Sequence, residues 1–251
     1  MDNNLFFIYI NLNRCNNRKK NIENMFNSYN INNYIRVEAI DYNNKHYNNE
    51  IRNLLPIKKE LLGKRLSTNI ENYPKVSWIY DGSIKNSWPN MPYNSKYGER
   101  GLILSYIKAL KKAKELNTEY ICILEDDAWF SKKNFEKLKI ILSKTNYKVI
   151  FLDERQNFSG IGIGCAGMIY HKSIIDKIIN IIHPLSNLKL SFQNWSYLIK
   201  KINPHFPKLF INHAALDVFF TNYFILNKKT IKVGIFKMVK SDYFPTTIQN
   251  S

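Results

Sequence analysis

The sequence predicts an α/β fold, a mostly parallel sheet flanked by helices, on three observations. Short strand-forming runs, Leu5 to Ile10, Tyr120 to Leu124 and Tyr147 to Leu152, alternate with segments of helical period. Each run is apolar at nearly every position, as strands covered on both faces are. Each ends in polar or charged residues, Asn11, Glu125-Asp126-Asp127 and Asp153-Glu154, at the carboxyl edge where open α/β sheets bind ligands.

The elements follow in order. Leu5 to Ile10 is a first strand, Asn11-Leu-Asn-Arg14 a polar turn, and Arg18 to Phe26 part of a helix, which together open a nucleotide-binding βαβ unit. Asn11, Arg14 and Arg18 are placed to reach a nucleotide, or else are turn formers and a solvated helix face. Tyr34 to Ile40 is a second strand, and Asp41 just past it is placed to read ribose or base. Residues 43–97 are irregular, rich in Asn, Lys, Pro and Tyr, and too long for a bare connection, so they read as an insertion. Gly98-Glu-Arg-Gly101 introduces a helix whose stripe is Leu102, Ile103, Tyr106, Ile107, Leu110, Ala113 and Leu116. Ser131 to Lys144 is a further amphipathic helix. The glycines Gly160, Gly162, Gly164 and Gly167 mark a close approach of backbone to a sugar or phosphate, or a bulge. Ser173 to Ile182 is helical, residues 184–212 are a second insertion, and Asp217 opens a last helix. Ile231 to Phe236 reads as a strand, followed by a tail. One domain over 1–251 accommodates all of this.

The central stretch carries the chemistry. Three adjacent carboxylates repel one another and lose solvation, so a positive group should offset them. A divalent cation, Mg²⁺ or Mn²⁺, is the simplest, since hard ions take carboxylate oxygens and bridge to phosphates. Acids paired with Lys or Arg are the alternative. If the segment is extended, Glu125 and Asp127 face the same way.

Composition excludes other classes. With 45% hydrophobic and 14% aromatic residues the chain is not disordered. The formal charge of +17 comes from dispersed lysines without a basic run, so no nucleic-acid partner is expected, and the excess suits an anionic small substrate. Cys15, Cys122 and Cys165 form neither a disulfide framework nor a CxxC site. With no secretory signal read at the N-terminus and no apolar run long enough to span a membrane, the expected setting is cytoplasmic.

These motifs resemble glycosyltransferase family 25, the group of bacterial lipooligosaccharide galactosyltransferases and procollagen galactosyltransferases. Ile8-Tyr-Ile-Asn-Leu-Asn-Arg14 with Arg18 is similar to its first strand and arginine turn, and Glu38-Ala-Ile-Asp41 to its Ala-Val-Asp-Gly element. Gly98 to Ser105 resembles its Gly-Glu-x-Gly-x-x-Leu-Ser segment, Ile123 to Asp127 its acidic motif, and Ala215-Leu-Asp217 its Pro-Val-Asp. Asn13 stands where the family has an acid, Tyr106 where it has His, and Gly164-Cys-Ala-Gly167 where it has a Thr-His-Ala-Tyr-like element.

The resemblance implies a GT-A-type, Rossmann-like fold and a metal-dependent inverting transfer of galactose or glucose from a UDP-sugar. The acceptor would be a hydroxyl of a glycan or a hydroxylysine-type protein. It implies Asp127, Glu125 and His213 as ligands of Mn²⁺ or Mg²⁺, with Glu125 reaching the ribose or a metal-bound water as its other role. Asp126 would serve in the second layer or on the donor sugar, and Asn11, Arg14, Arg18, Asp41 and Ser105 would contact nucleotide or phosphate. Asp217, then Asp153, is the expected base. A metal-dependent nuclease or nucleotidyltransferase and an inactive glycan-binding relative are the rival readings. The oligomeric form, a homodimer among the options, stays open.

Overall fold

The computed structural model describes residues 4–41, 93–154, 165–186, 216–217, 220, 223–224, 227 and 229–240, with the backbone alone at 93–100 and 183–186. Most of both proposed insertions, the glycines at 160–164, His213, Ala215 and the tail after Lys240 lie outside the described residues.

The strands are β1 (Leu5–Asn11), β2 (Tyr34–Glu38), β3 (Tyr120–Glu125), β4 (Val149–Asp153), β5 (Gly167–His171) and β6 (Val233–Val239). The helices are α1 (Asn16–Ser28), α2 (Tyr93–Glu115), α3 (Lys132–Lys144) and α4 (Ile175–Ser186). The described strands form one sheet in the order β2-β1-β3-β5-β4-β6. β2, β1 and β3 are mutually parallel and β4 is parallel to β6, while β5 runs antiparallel to both β3 and β4. Strands β1, β2, β3, β4 and β6 therefore share one direction, and their carboxyl ends share one edge.

Side chains alternate across β3 and build two cores. Tyr120, Cys122 and Leu124 pack with Phe26 of α1 and with Phe135 and Leu138 of α3. Ile121 and Ile123 pack with Ile103, Tyr106 and Leu110 of α2, with Ile178 and Ile182 of α4, and with Leu216, Phe220 and Phe224. Helices on both faces explain why the strand runs read as continuously apolar. Tyr106 is buried, and its hydroxyl meets that of Tyr170 at 3.0 Å.

Helix ends follow their local chemistry. α1 closes in a Schellman arrangement, with Ile31 N donating to Phe26 O at 2.9 Å, Asn30 N to Asn27 O at 3.1 Å, and Asn30 at φ 58°. Ser131 caps α3, accepting from Asn134 N at 3.2 Å.

Two expectations are revised. α2 begins at Tyr93, so Gly98 and Gly101 lie within the helix and do not introduce it. A Cβ at Gly101 would stand 2.7 Å from Ile40 O; the glycine lets the helix press on the chain leaving β2, which outweighs its low helical propensity. Gly167 is likewise explained by packing: a Cβ there would meet Val239 Cγ2 at 2.9 Å and Leu124 Cδ2 at 3.0 Å. Its close approach is to neighbouring side chains in the sheet.

Candidate functional site

The three acids sit at the carboxyl edge, next to the end of β1. Glu125 closes β3, pairs in register with Ile10, and anchors through its backbone N to Ala166 O at 2.9 Å. Ala128 N donates to Glu125 O at 3.1 Å, closing a turn with Asp126 and Asp127 at its centre. Beyond it, Trp129 and Lys240 exchange backbone hydrogen bonds at 2.9 and 2.8 Å. The turn is thus fastened on both flanks. The extended path that would have faced Glu125 and Asp127 alike does not continue past Glu125, so alternation does not apply to this pair.

The expected positive group is in place, and it comes from the protein. Arg18, buried on α1, sets Nη1 2.9 Å from Asp126 Oδ1 and 3.9 Å from Asp127 Oδ2. Asn11 Nδ2 donates to Asp126 Oδ2 at 2.7 Å and to Cys15 O at 3.2 Å, and Asn11 Oδ1 accepts from Arg36 Nε at 2.9 Å. Both oxygens of Asp126 are therefore engaged within the protein. The amide of Asn11 uses both donors and its acceptor, which fixes its orientation. The alternative of acids paired with Arg holds for Asp126.

A second ion pair lies on the same edge. Arg14 Nε approaches Asp41 Oδ2 at 2.6 Å, with Nη2 3.5 Å from Oδ1. Ser105 is buried; its Oγ accepts from Ile40 N at 2.8 Å and donates to Gly101 O at 2.5 Å, clasping the segment that carries Asp41 to α2. Its hydrogen bonds thus serve the positioning of Asp41.

Arg36, Asn13, Glu38 and Lys108 join the site, though none of them was expected as a site residue. Arg36 Nη2 donates to Asn13 Oδ1 at 2.7 Å, Asn13 Nδ2 donates to Glu38 Oε1 at 2.8 Å, and Lys108 Nζ donates to Glu38 O at 3.0 Å. An amide at 13 accepts on one side and donates on the other, which an acid cannot do when ionised. The available signal for Arg36 was a cation set between Ile35 and Val37 in a short strand, which calls for a partner.

The base candidates differ. Asp153 ends β4 wholly buried and accepts from Ala166 N at 3.2 Å. Asp217 is half-buried in a helical turn whose Leu216 enters the core.

Among the described residues no group of three or more His, Cys, Asp and Glu is arranged to hold a metal ion. Mg²⁺ and Mn²⁺ sites that use substrate phosphates need only one or two carboxylates, with waters and phosphate oxygens completing the shell. With Asp126 committed to Arg18 and Asn11, Glu125 and Asp127 are the turn's remaining carboxylates, and their oxygens are of the chemical kind such an ion takes. No helix of the described residues is long and apolar enough to cross a membrane.

Residues 4–161 match the model of glycosyltransferase family 25 (LPS biosynthesis protein). No curated protein matches the sequence. Among solved structures, the crystal structure of a glycosyltransferase involved in the glycosylation of the major capsid of PBCV-1 is similar, with 12% identity over 80% of this chain and 75% of that one, at a TM-score of 0.37.

Proposed function

The chain belongs to glycosyltransferase family 25, and from that premise we propose a metal-dependent, inverting transfer of galactose or glucose from a UDP-sugar. The acceptor is a hydroxyl of a glycan or of a hydroxylysine-type protein. The observation that carries this reading is the fastened acid turn beside the Arg14–Asp41 pair, on the edge where parallel sheets bind nucleotides.

In this reading Asp127 and Glu125 hold Mn²⁺ or Mg²⁺, with His213 as a further ligand. Bound there, the ion supplies Lewis-acid stabilisation of the charge on the departing diphosphate. Asn11 and Arg18 hold Asp126 and thereby the turn. Asp41, oriented by Arg14, contacts the ribose. Asp217 takes the proton from the acceptor hydroxyl as its oxygen attacks the anomeric carbon. Asp153, buried against Ala166, steadies the start of β5 and is the less suitable base. The three buried thiols suit a reducing, cytoplasmic setting.

Titration calorimetry of UDP, GDP and a DNA duplex, with and without Mn²⁺, tests the reading. Mn²⁺-dependent UDP binding that Asp127→Ala abolishes supports it. Duplex binding without a nucleotide signal would sink it in favour of a nuclease, and neither signal would leave an inactive relative.

A further inference from the structure

Three carboxylates in consecutive positions would give the turn a strong field for any cation. Arg18 changes that field from inside the fold. Its side chain is 9% exposed, against 10% for Asp126 and 8% for Asp127, so water screens these interactions weakly. Asp126 is satisfied at one oxygen by Arg18 and at the other by Asn11, which Arg36 holds in turn. The guanidinium is pinned by this chain of hydrogen bonds, with Asp127 at its edge.

We propose that Arg18 is a built-in counter-cation that sets how tightly the acid turn takes a divalent ion. It acts through Asp126 and Asp127 as a positioning and affinity-setting residue and does not touch the reacting atoms. This rests on the reading of the turn as an ion site. A fixed positive charge a few ångströms from a doubly charged ion weakens its binding about tenfold even at the dielectric of water. Arg18 therefore keeps resident-ion affinity low until phosphate oxygens complete the shell, and the ion loads with the nucleotide.

The test is the affinity of the full chain for Mn²⁺ alone, read as free Mn²⁺ by electron paramagnetic resonance, without nucleotide. Arg18→Gln should bind Mn²⁺ about tenfold more tightly than the wild type. Arg18→Lys, which keeps the charge, should stay near the wild type. Arg18→Gln with Asp126→Asn, which removes the pair together, should return toward it. Asp126→Asn alone should bind more weakly. A folded Arg18→Gln chain with equal or weaker Mn²⁺ affinity overturns the proposal, as does the absence of Mn²⁺ binding in every variant. If Arg18→Gln does not fold, Asp126→Asn decides, and unchanged or tighter binding there overturns it. A wild type that binds no UDP would sink the transferase reading while leaving this series to decide on Arg18.

Discussion

Asn11 Nδ2 donates to Asp126 Oδ2 at 2.7 Å, tying the end of β1 to the acid turn 115 positions later. Asn11→Ala removes that bond and the one from Arg36, leaving the buried Asp126 and the half-buried Arg36 each short of a partner. A loss of about 2–3 kcal/mol in stability is expected, read by urea unfolding. Asn11→Asp should be worse, because it sets a second carboxylate against Asp126.

Ser105 and Gly101 act together on the chain leaving β2. Ser105→Ala removes the acceptor for Ile40 N and should cost about 1–2 kcal/mol. Gly101→Ala places a methyl 2.7 Å from Ile40 O, and such overpacking costs about 1–3 kcal/mol. Both are measured by thermal or urea unfolding, and both should weaken UDP binding through displacement of Asp41.

The Arg14–Asp41 pair separates stability from function. Arg14 is 36% and Asp41 12% exposed at the side chain, and an amide at 41 keeps an oxygen acceptor for the guanidinium, so the exchange costs about 1 kcal/mol. Asp41→Asn should therefore unfold nearly as the wild type does while losing UDP affinity, as titration calorimetry would record. Equal UDP binding would remove Asp41 from the nucleotide site.

At the opposite edge, His171 accepts from Ser173 N at 3.1 Å, with its Nδ1 3.3 Å from Lys148 Nζ and its Nε2 3.5 Å from Glu119 Oε1. Burial and then the Lys148 ammonium lower its pKa below the usual imidazole value of 6.5. The unfolded chain thus takes up this proton at higher pH than the folded one. The stabilising contribution is complete above the unfolded value and is lost as pH falls from there through the lowered folded value. Melting temperature should drop over that window, and His171→Asn, which keeps an acceptor for Ser173 N, should flatten the drop.

Much of the sheet edge that carries the candidate site was legible because its elements are local. The runs ending at Asn11, Glu125 and Asp153 are strands whose apolar faces and polar ends follow each other in sequence, and the stripe from Leu102 to Leu116 is one helix. The direction of β5 was not legible, since alternation in Gly167 to His171 is the same for parallel and antiparallel strands. Nor was the partner of Asp126, because Arg18 lies 108 positions away and its own surroundings read as a solvated helix face. The turn at Asp126 and Asp127 escaped an argument from alternation because it depends on the Ala128 N–H returning to Glu125 O. Gly101 looked like a helix start because its real neighbour, Ile40 O, belongs to another element.

The most direct test of metal-assisted transfer at the acid turn is release of UDP from UDP-galactose and UDP-glucose, assayed with Mn²⁺, with chelator, and in Asp127→Asn. The account predicts Mn²⁺-dependent release from at least one donor, lost with chelator and reduced by about 100-fold or more in Asp127→Asn, as expected for removal of a group that holds charge-stabilising machinery. Release that proceeds equally in chelator and in Asp127→Asn would contradict it.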